Sequence, residues 1–129
     1  MKYILALCVS FGMNFAQAMI ITCRYANVER VIDGDTIDMI VILGFNVMVH
    51  ERGRLARYNA PETRTRDKAE KIRGIAAKER LQNLLRQDKN NVIVCPIKKG
   101  KYGRWIIELY DRQGKKNYND LLINRKEII

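Results

Sequence analysis

The 129-residue chain has one histidine, three cysteines and two prolines, and its 14 acidic residues face 24 lysines and arginines. Each shortage removes a class of chemistry. One histidine and three cysteines cannot assemble a four-cysteine, two-cysteine–two-histidine or multi-histidine zinc centre. Zinc fingers, zinc deaminases, nucleases built on paired histidines and two-histidine metal hydrolases are excluded together. Internal repeats, low-complexity tracts and linkers are missing, so the body reads as a single domain. The shortage of acids leaves a formal net charge of +10. In so short a chain that surplus points to a polyanionic partner, either nucleic acid or an anionic membrane surface. Apolar residues at 47% and charged residues at 29% are an ordinary globular balance.

The longest apolar stretch lies at the start. Lys2 precedes Tyr3 to Phe15, and Ala16-Gln17-Ala18 follows as a small-x-small ending. This is the pattern of a secretory signal peptide over residues 1–18, cleaved after Ala18 to give a secreted or periplasmic protein. Two other readings remain open: a membrane anchor, because apolar residues resume at Met19-Ile20-Ile21, and a cytoplasmic chain starting at Met19. Removal of residues 1–18 takes away Lys2 alone among the charged residues, so the basicity belongs to the body. Cys8 leaves with that segment. Export would put Cys23 and Cys95 where a disulfide is permitted, with two independent buried thiols as the alternative.

Five stretches of the body read as extended: Cys23 to Ile32, Thr36 to Leu43, Phe45 to Ala56, Asn91 to Cys95 (halted by Pro96) and Arg104 to Tyr110. Asp33-Gly34-Asp35 is a turn, since glycine tolerates unusual backbone angles and aspartate bonds locally. Between the third and fourth stretches the spacing predicts a helix over Lys68 to Arg86. Ile72, Ala76, Ala77, Leu81, Leu84 and Leu85 lie on or near its apolar face, and Gly74 marks close packing. A short second helix is expected over Asn119 to Asn124. The sum is an α+β domain on a five-stranded barrel.

Three polar groupings carry chemistry: Val31-Ile32-Asp33-Gly34-Asp35-Thr36, then Arg54-Leu55 followed by Asn59-Ala60-Pro61-Glu62, then Lys101-Tyr102-Gly103-Arg104-Trp105. Each alone is an ordinary turn or loop. In this order, around one helix, they resemble the staphylococcal-nuclease family over about residues 24 to 124. The resemblance implies an OB-fold barrel and calcium-dependent cleavage of DNA and RNA, with single strands preferred and a monomeric enzyme. Position by position, it implies Asp35 as a calcium ligand, Arg54 and Arg104 as the guanidinium pair on the scissile phosphate, and Glu62 as general base. Asn59 stands where the family usually has a second calcium-binding aspartate, and Ala60 where a backbone carbonyl serves the metal or its waters. Lys101 and Tyr102 are the expected substrate-binding residues. In such a barrel the first and fourth strands are neighbours, which would bring Cys23 and Cys95 within reach of each other. The family usually continues into a further helix, so residues 19–129 read as a C-terminally short nuclease domain. A catalytically weak or idle OB module that binds nucleic acid is the alternative.

The residue chemistry is compatible with that expectation. Calcium takes oxygen ligands, so aspartate, asparagine and a carbonyl suffice without histidine or cysteine. Arginine's planar fork matches phosphate oxygens and stays charged at any relevant pH. Arg57, Arg64, Arg66, Lys98 and Lys99 flank the proposed site and would draw in a phosphate backbone without reading sequence. His50, without a histidine or cysteine partner, reads as structural or solvated.

Overall fold

In the computed structural model, which describes residues 22–126, five strands and two helices succeed one another along the chain. They are β1 (Arg24–Asp33), β2 (Thr36–Gly44), β3 (Val47–Leu55), α1 (Lys68–Arg86), β4 (Asn91–Lys99), β5 (Trp105–Tyr110) and α2 (Tyr118–Lys126). The signal-peptide expectation over residues 1–18 falls outside the described residues. The strands close into a barrel in the order β1-β2-β3-β5-β4, with β4 returning to β1. This is a closed five-stranded α+β architecture of the OB type, with α1 inserted between β3 and β4 as the sequence suggests.

Alternation builds the barrel. Along β2, Ile37, Met39 and Val41 point inward; along β5, Ile107 and Leu109 do the same. Ala77, Leu81, Leu84 and Leu85 of α1 join them in one core. Ile72 does not: it is 69% exposed. The buried face of α1 starts at Gly74, and two residues of helical rotation turn Ile72 to the opposite side. Asp67 caps α1, its carboxylate accepting from the backbone N–H groups of Ala69 and Glu70 at 3.0 and 3.4 Å.

Two strand boundaries differ from expectation by two residues or more. Phe45 and Asn46 form the β2–β3 turn, both at positive φ (50° and 64°), and β3 begins at Val47. Pro96 does not end β4, which runs on to Lys99. Beyond Val94 the strand pairs with β5 alone, and a bulge between Pro96 and Lys98 absorbs the missing N–H.

Closure is tied at three places. A disulfide joins Cys23, just before β1, to Cys95 of β4. The parallel β3–β5 seam spans only three residue pairs, Gly53–Trp105 to Leu55–Ile107. Asn119 of α2, wholly buried, extends it: its amide N–H₂ donates to the carbonyls of Ala56 and Ile107, and its Oδ1 accepts from Leu109, all at 3.0 Å. On the outer face Asp38 of β2 accepts from Arg52 of β3 (2.7 and 3.1 Å) and Arg30 of β1 (2.9 Å). The Arg52 bonds, then those of Arg30, hold its carboxyl below the usual aspartate value against the opposing effect of burial.

Candidate functional site

The first grouping is set by the β1–β2 turn. Gly34 is required there, because a Cβ would lie 2.6 Å from the Cβ of Ala77 and 2.9 Å from that of Ala60. Seated against α1 in this way, the turn aims its two aspartates differently. Asp33 accepts from the hydroxyl of Thr63 at 2.5 Å and from its N–H at 3.3 Å, so it fastens the loop that follows β3. Asp35 is 6% exposed and faces the end of β3.

Around Asp35 the β1–β2 turn meets the end of β3 and the loop that follows it. Its Oδ1 accepts from the Thr36 hydroxyl at 2.9 Å and its Oδ2 from the backbone N–H of Ala60 at 3.0 Å. Arg54, opposite Thr36 in the β2–β3 ladder, brings Nη2 to 3.5 Å from Asp35 Oδ2. The same Nη2 donates to Asn59 Oδ1 at 2.6 Å. Asp35, Arg54, Asn59 and Ala60 are therefore one interlocked cluster. A buried carboxylate against a half-buried guanidinium is a pairing that the low-dielectric surroundings strengthen.

Glu62 stands beside this cluster on the corner that continues from Ala60. The corner is pressed onto α1 at Gly74, where a Cβ would meet the Glu62 carbonyl oxygen at 2.5 Å and the Pro61 carbonyl oxygen at 2.9 Å. The sequence expectation of close packing at Gly74 is met here. The Glu62 side chain is exposed and has no hydrogen-bond or ion-pair partner among the described residues.

Arg104 approaches by a different route. The parallel register sets Arg54 beside Ile106, so Arg104, the extended residue just before β5 and two back from Ile106, lies by alternation on the same outward face. Its Nε donates to the Lys101 carbonyl at 3.3 Å and its guanidinium lies 5.6 Å from the Tyr102 ring centroid. Among the described residues no hydrogen bond or ion pair joins it to the Asp35 cluster. Lys101 and Tyr102 occupy a short 3₁₀ turn between β4 and β5, with Tyr102 91% exposed and at a positive φ of 59°. That exposed ring leaves a face open for stacking.

The donors are of the kind a hard divalent cation takes: the Asp35 carboxylate, the Asn59 amide oxygen and the Ala60 carbonyl. They carry one formal negative charge between them, and among the described residues no three His, Cys, Asp or Glu side chains gather as a ligand group. Arg54 Nη2 lies against both side-chain donors, Asp35 Oδ2 and Asn59 Oδ1, so a cation held there would share them with the guanidinium and take most of its shell from waters or substrate oxygens.

The structure corrects one assignment among the flanking cations. Arg57 is not free to meet phosphate: its Nε and Nη2 donate to Glu108 at 2.8 and 2.9 Å, and its Nη1 pairs with Asp120 at 2.8 Å. Those two carboxylates raise the guanidinium above its ordinary value, Glu108 contributing first. Arg57 instead locks α2 to β5. His50 is exposed and pairs with Glu29 at 2.7 Å. Sequence reading missed Asn119, since an asparagine before Leu121-Leu122 gives no sign that its amide will be buried. Among the described residues no helix is long and apolar enough to cross a membrane. Comparison of the chain with models of known protein families and with curated proteins finds no match.

Proposed function

We propose that the protein is a calcium-dependent nuclease of the staphylococcal-nuclease type, hydrolysing phosphodiester bonds of DNA and RNA with little sequence specificity. The observation that carries the reading is the convergence of Asp35, from the β1–β2 turn, with Arg54, Asn59 and Ala60, from the end of β3 and the loop after it, and Glu62 follows two residues on without a partner among the described residues. Calcium, when bound, would supply a positive charge against the phosphate and the incoming water. Asp35, Asn59 and the Ala60 carbonyl would hold it, Asp35 contributing the only charge.

The remaining work falls to the chain's own groups. Arg54 is already oriented by Asp35 and Asn59, so its fork meets a phosphate without first losing rotamer freedom. Arg104, on the same outward face, supplies a second guanidinium to offset the charge that builds on phosphorus as water adds. Glu62 has no competing donor among the described residues and accepts the proton that the attacking water loses. Lys101 and Tyr102 take the adjoining strand by charge and by stacking, which favours an unpaired strand over a duplex.

Purified full chain and single-stranded DNA, with calcium or with a calcium chelator, test the reading. Cleavage is expected with calcium alone, falling about a hundredfold or more in Glu62→Gln and in Arg54→Ala. A chain that binds the strand but leaves it whole under both conditions would select the idle OB module instead. The 2.6 Å bond from Arg54 to Asn59, together with the single carboxylate of the metal donors, favours that second reading.

A further inference from the structure

The β2–β3 hairpin has a composition that neither the core nor the proposed nuclease site uses. Ile42, Leu43, Phe45, Val47 and Met48 are all exposed, from 44% at Ile42 to full exposure at Phe45. These residues lie on both faces of the hairpin, since Ile42 pairs with Met48 and the side chains alternate. Phe45 also sits at φ 50°, in a turn whose two central positions both need positive φ and favour asparagine or glycine. A bulky ring held in a disfavoured conformation, fully in water, gains nothing for the fold.

Behind the hairpin an apolar groove of about 420 Å³ opens into the barrel end, lined by Val41, Leu43, Val49, Pro96 and Trp105 among others. Its β4 rim is cationic. Ile97, 48% exposed, is followed by Lys98 and Lys99, and the Lys99 ammonium lies 4.5 Å above the Trp105 ring. Glu51 is the acidic residue in the lining.

We infer that this barrel end docks on an anionic lipid bilayer, the hairpin tip entering the acyl boundary while Lys98 and Lys99 meet the headgroups. A hairpin apolar on both faces is buried by a medium that surrounds it, whereas a protein partner covers one face. The cationic rim matches an anionic surface and would repel its own image in a symmetric dimer. Long lysine stems beside an interfacial tryptophan suit the boundary between headgroup and chain. This inference does not rest on cleavage of nucleic acid, although Lys98 and Lys99 adjoin the turn that carries Lys101 and Tyr102.

Sedimentation of the full chain with vesicles tests it. Vesicles of equal parts phosphatidylglycerol and phosphatidylcholine are expected to carry the protein down, and pure phosphatidylcholine vesicles are not. The double variant Phe45→Asp/Met48→Asp should bind the mixed vesicles about tenfold more weakly or worse, with an unchanged melting temperature, because aspartate tolerates the turn and neither side chain is in the core. Lys98→Glu/Lys99→Glu should weaken binding to the mixed vesicles as well. Undiminished binding by the hairpin variant would assign the affinity to residues 1–21 or to bulk charge and overturn the inference. So would equal binding to both vesicle types, binding to neither, or a dimer in the absence of lipid that the hairpin variant abolishes.

Discussion

At the scale of single residues, the candidate site shows where one atom of difference matters. Asn59 Oδ1 accepts from Arg54, yet an amide adds no charge to the donor set around Asp35. Asn59→Asp keeps the Arg54 bond and adds the missing carboxylate, so calcium affinity is expected to rise about tenfold or more, read by calorimetric titration of parent and variant. Tyr118 illustrates the other direction. Burial, then the nearby Asp88 and Asp111 carboxylates, push its phenol up to about 12. A phenol whose folded value is raised contributes stability that is whole below its unfolded value near pH 10 and is lost as pH climbs towards 12. Tyr118→Phe should therefore flatten the alkaline limb of a urea-midpoint profile between about pH 10 and about pH 12, and leave the acid limb untouched. Legibility at this scale was uneven. Asp35, Arg54, Asn59 and Ala60 stood out by type and spacing, and they meet. Arg57 read as a cation for the phosphate backbone because the carboxylates that claim it, Glu108 and Asp120, lie 51 and 63 residues away.

At the scale of elements, α1 sets the positions of two site loops. Ala77 fills the space under Gly34, and Gly74 receives the Glu62 carbonyl, so the helix fixes the β1–β2 turn and the Asn59–Glu62 corner together. Helix propensity alone favours Gly74→Ala by about 1 kcal/mol. The contact reverses that sign: with a backbone oxygen 2.5 Å from the new Cβ, we expect a net loss of about 1–3 kcal/mol in chemical denaturation. The helix itself was legible from its apolar periodicity, and the structure adds the Asp67 cap that fixes its start. What failed were local rules overridden by context. Pro96 stays inside β4 because the strand there has a ladder partner on one side only, and Ile72 faces water because the contact face is set by small residues at Gly74 and Ala77 that a hydrophobicity pattern undervalues.

At the scale of the whole molecule, the barrel is closed by contacts between distant parts of the chain, and the Cys23–Cys95 bond spans 72 residues. Reduction, or Cys23→Ser with Cys95→Ser, should cost about 2–5 kcal/mol, seen as a lower melting temperature than that of the oxidised chain. Sequence indicated a barrel by counting strands, but it could not indicate how the seam is held, since Asn119 acts only after β3 and β5 are already side by side. The order of those events constrains biosynthesis. During synthesis β1 waits for β4, β3 waits for β5, and the asparagine that secures the seam emerges later still. A nascent chain can therefore form α1 early but cannot shelter the inward residues of its first three strands until nearly all of the body has left the ribosome. For that interval the unpaired edges of the same strands stay open to pairing with one another out of register or with a second chain.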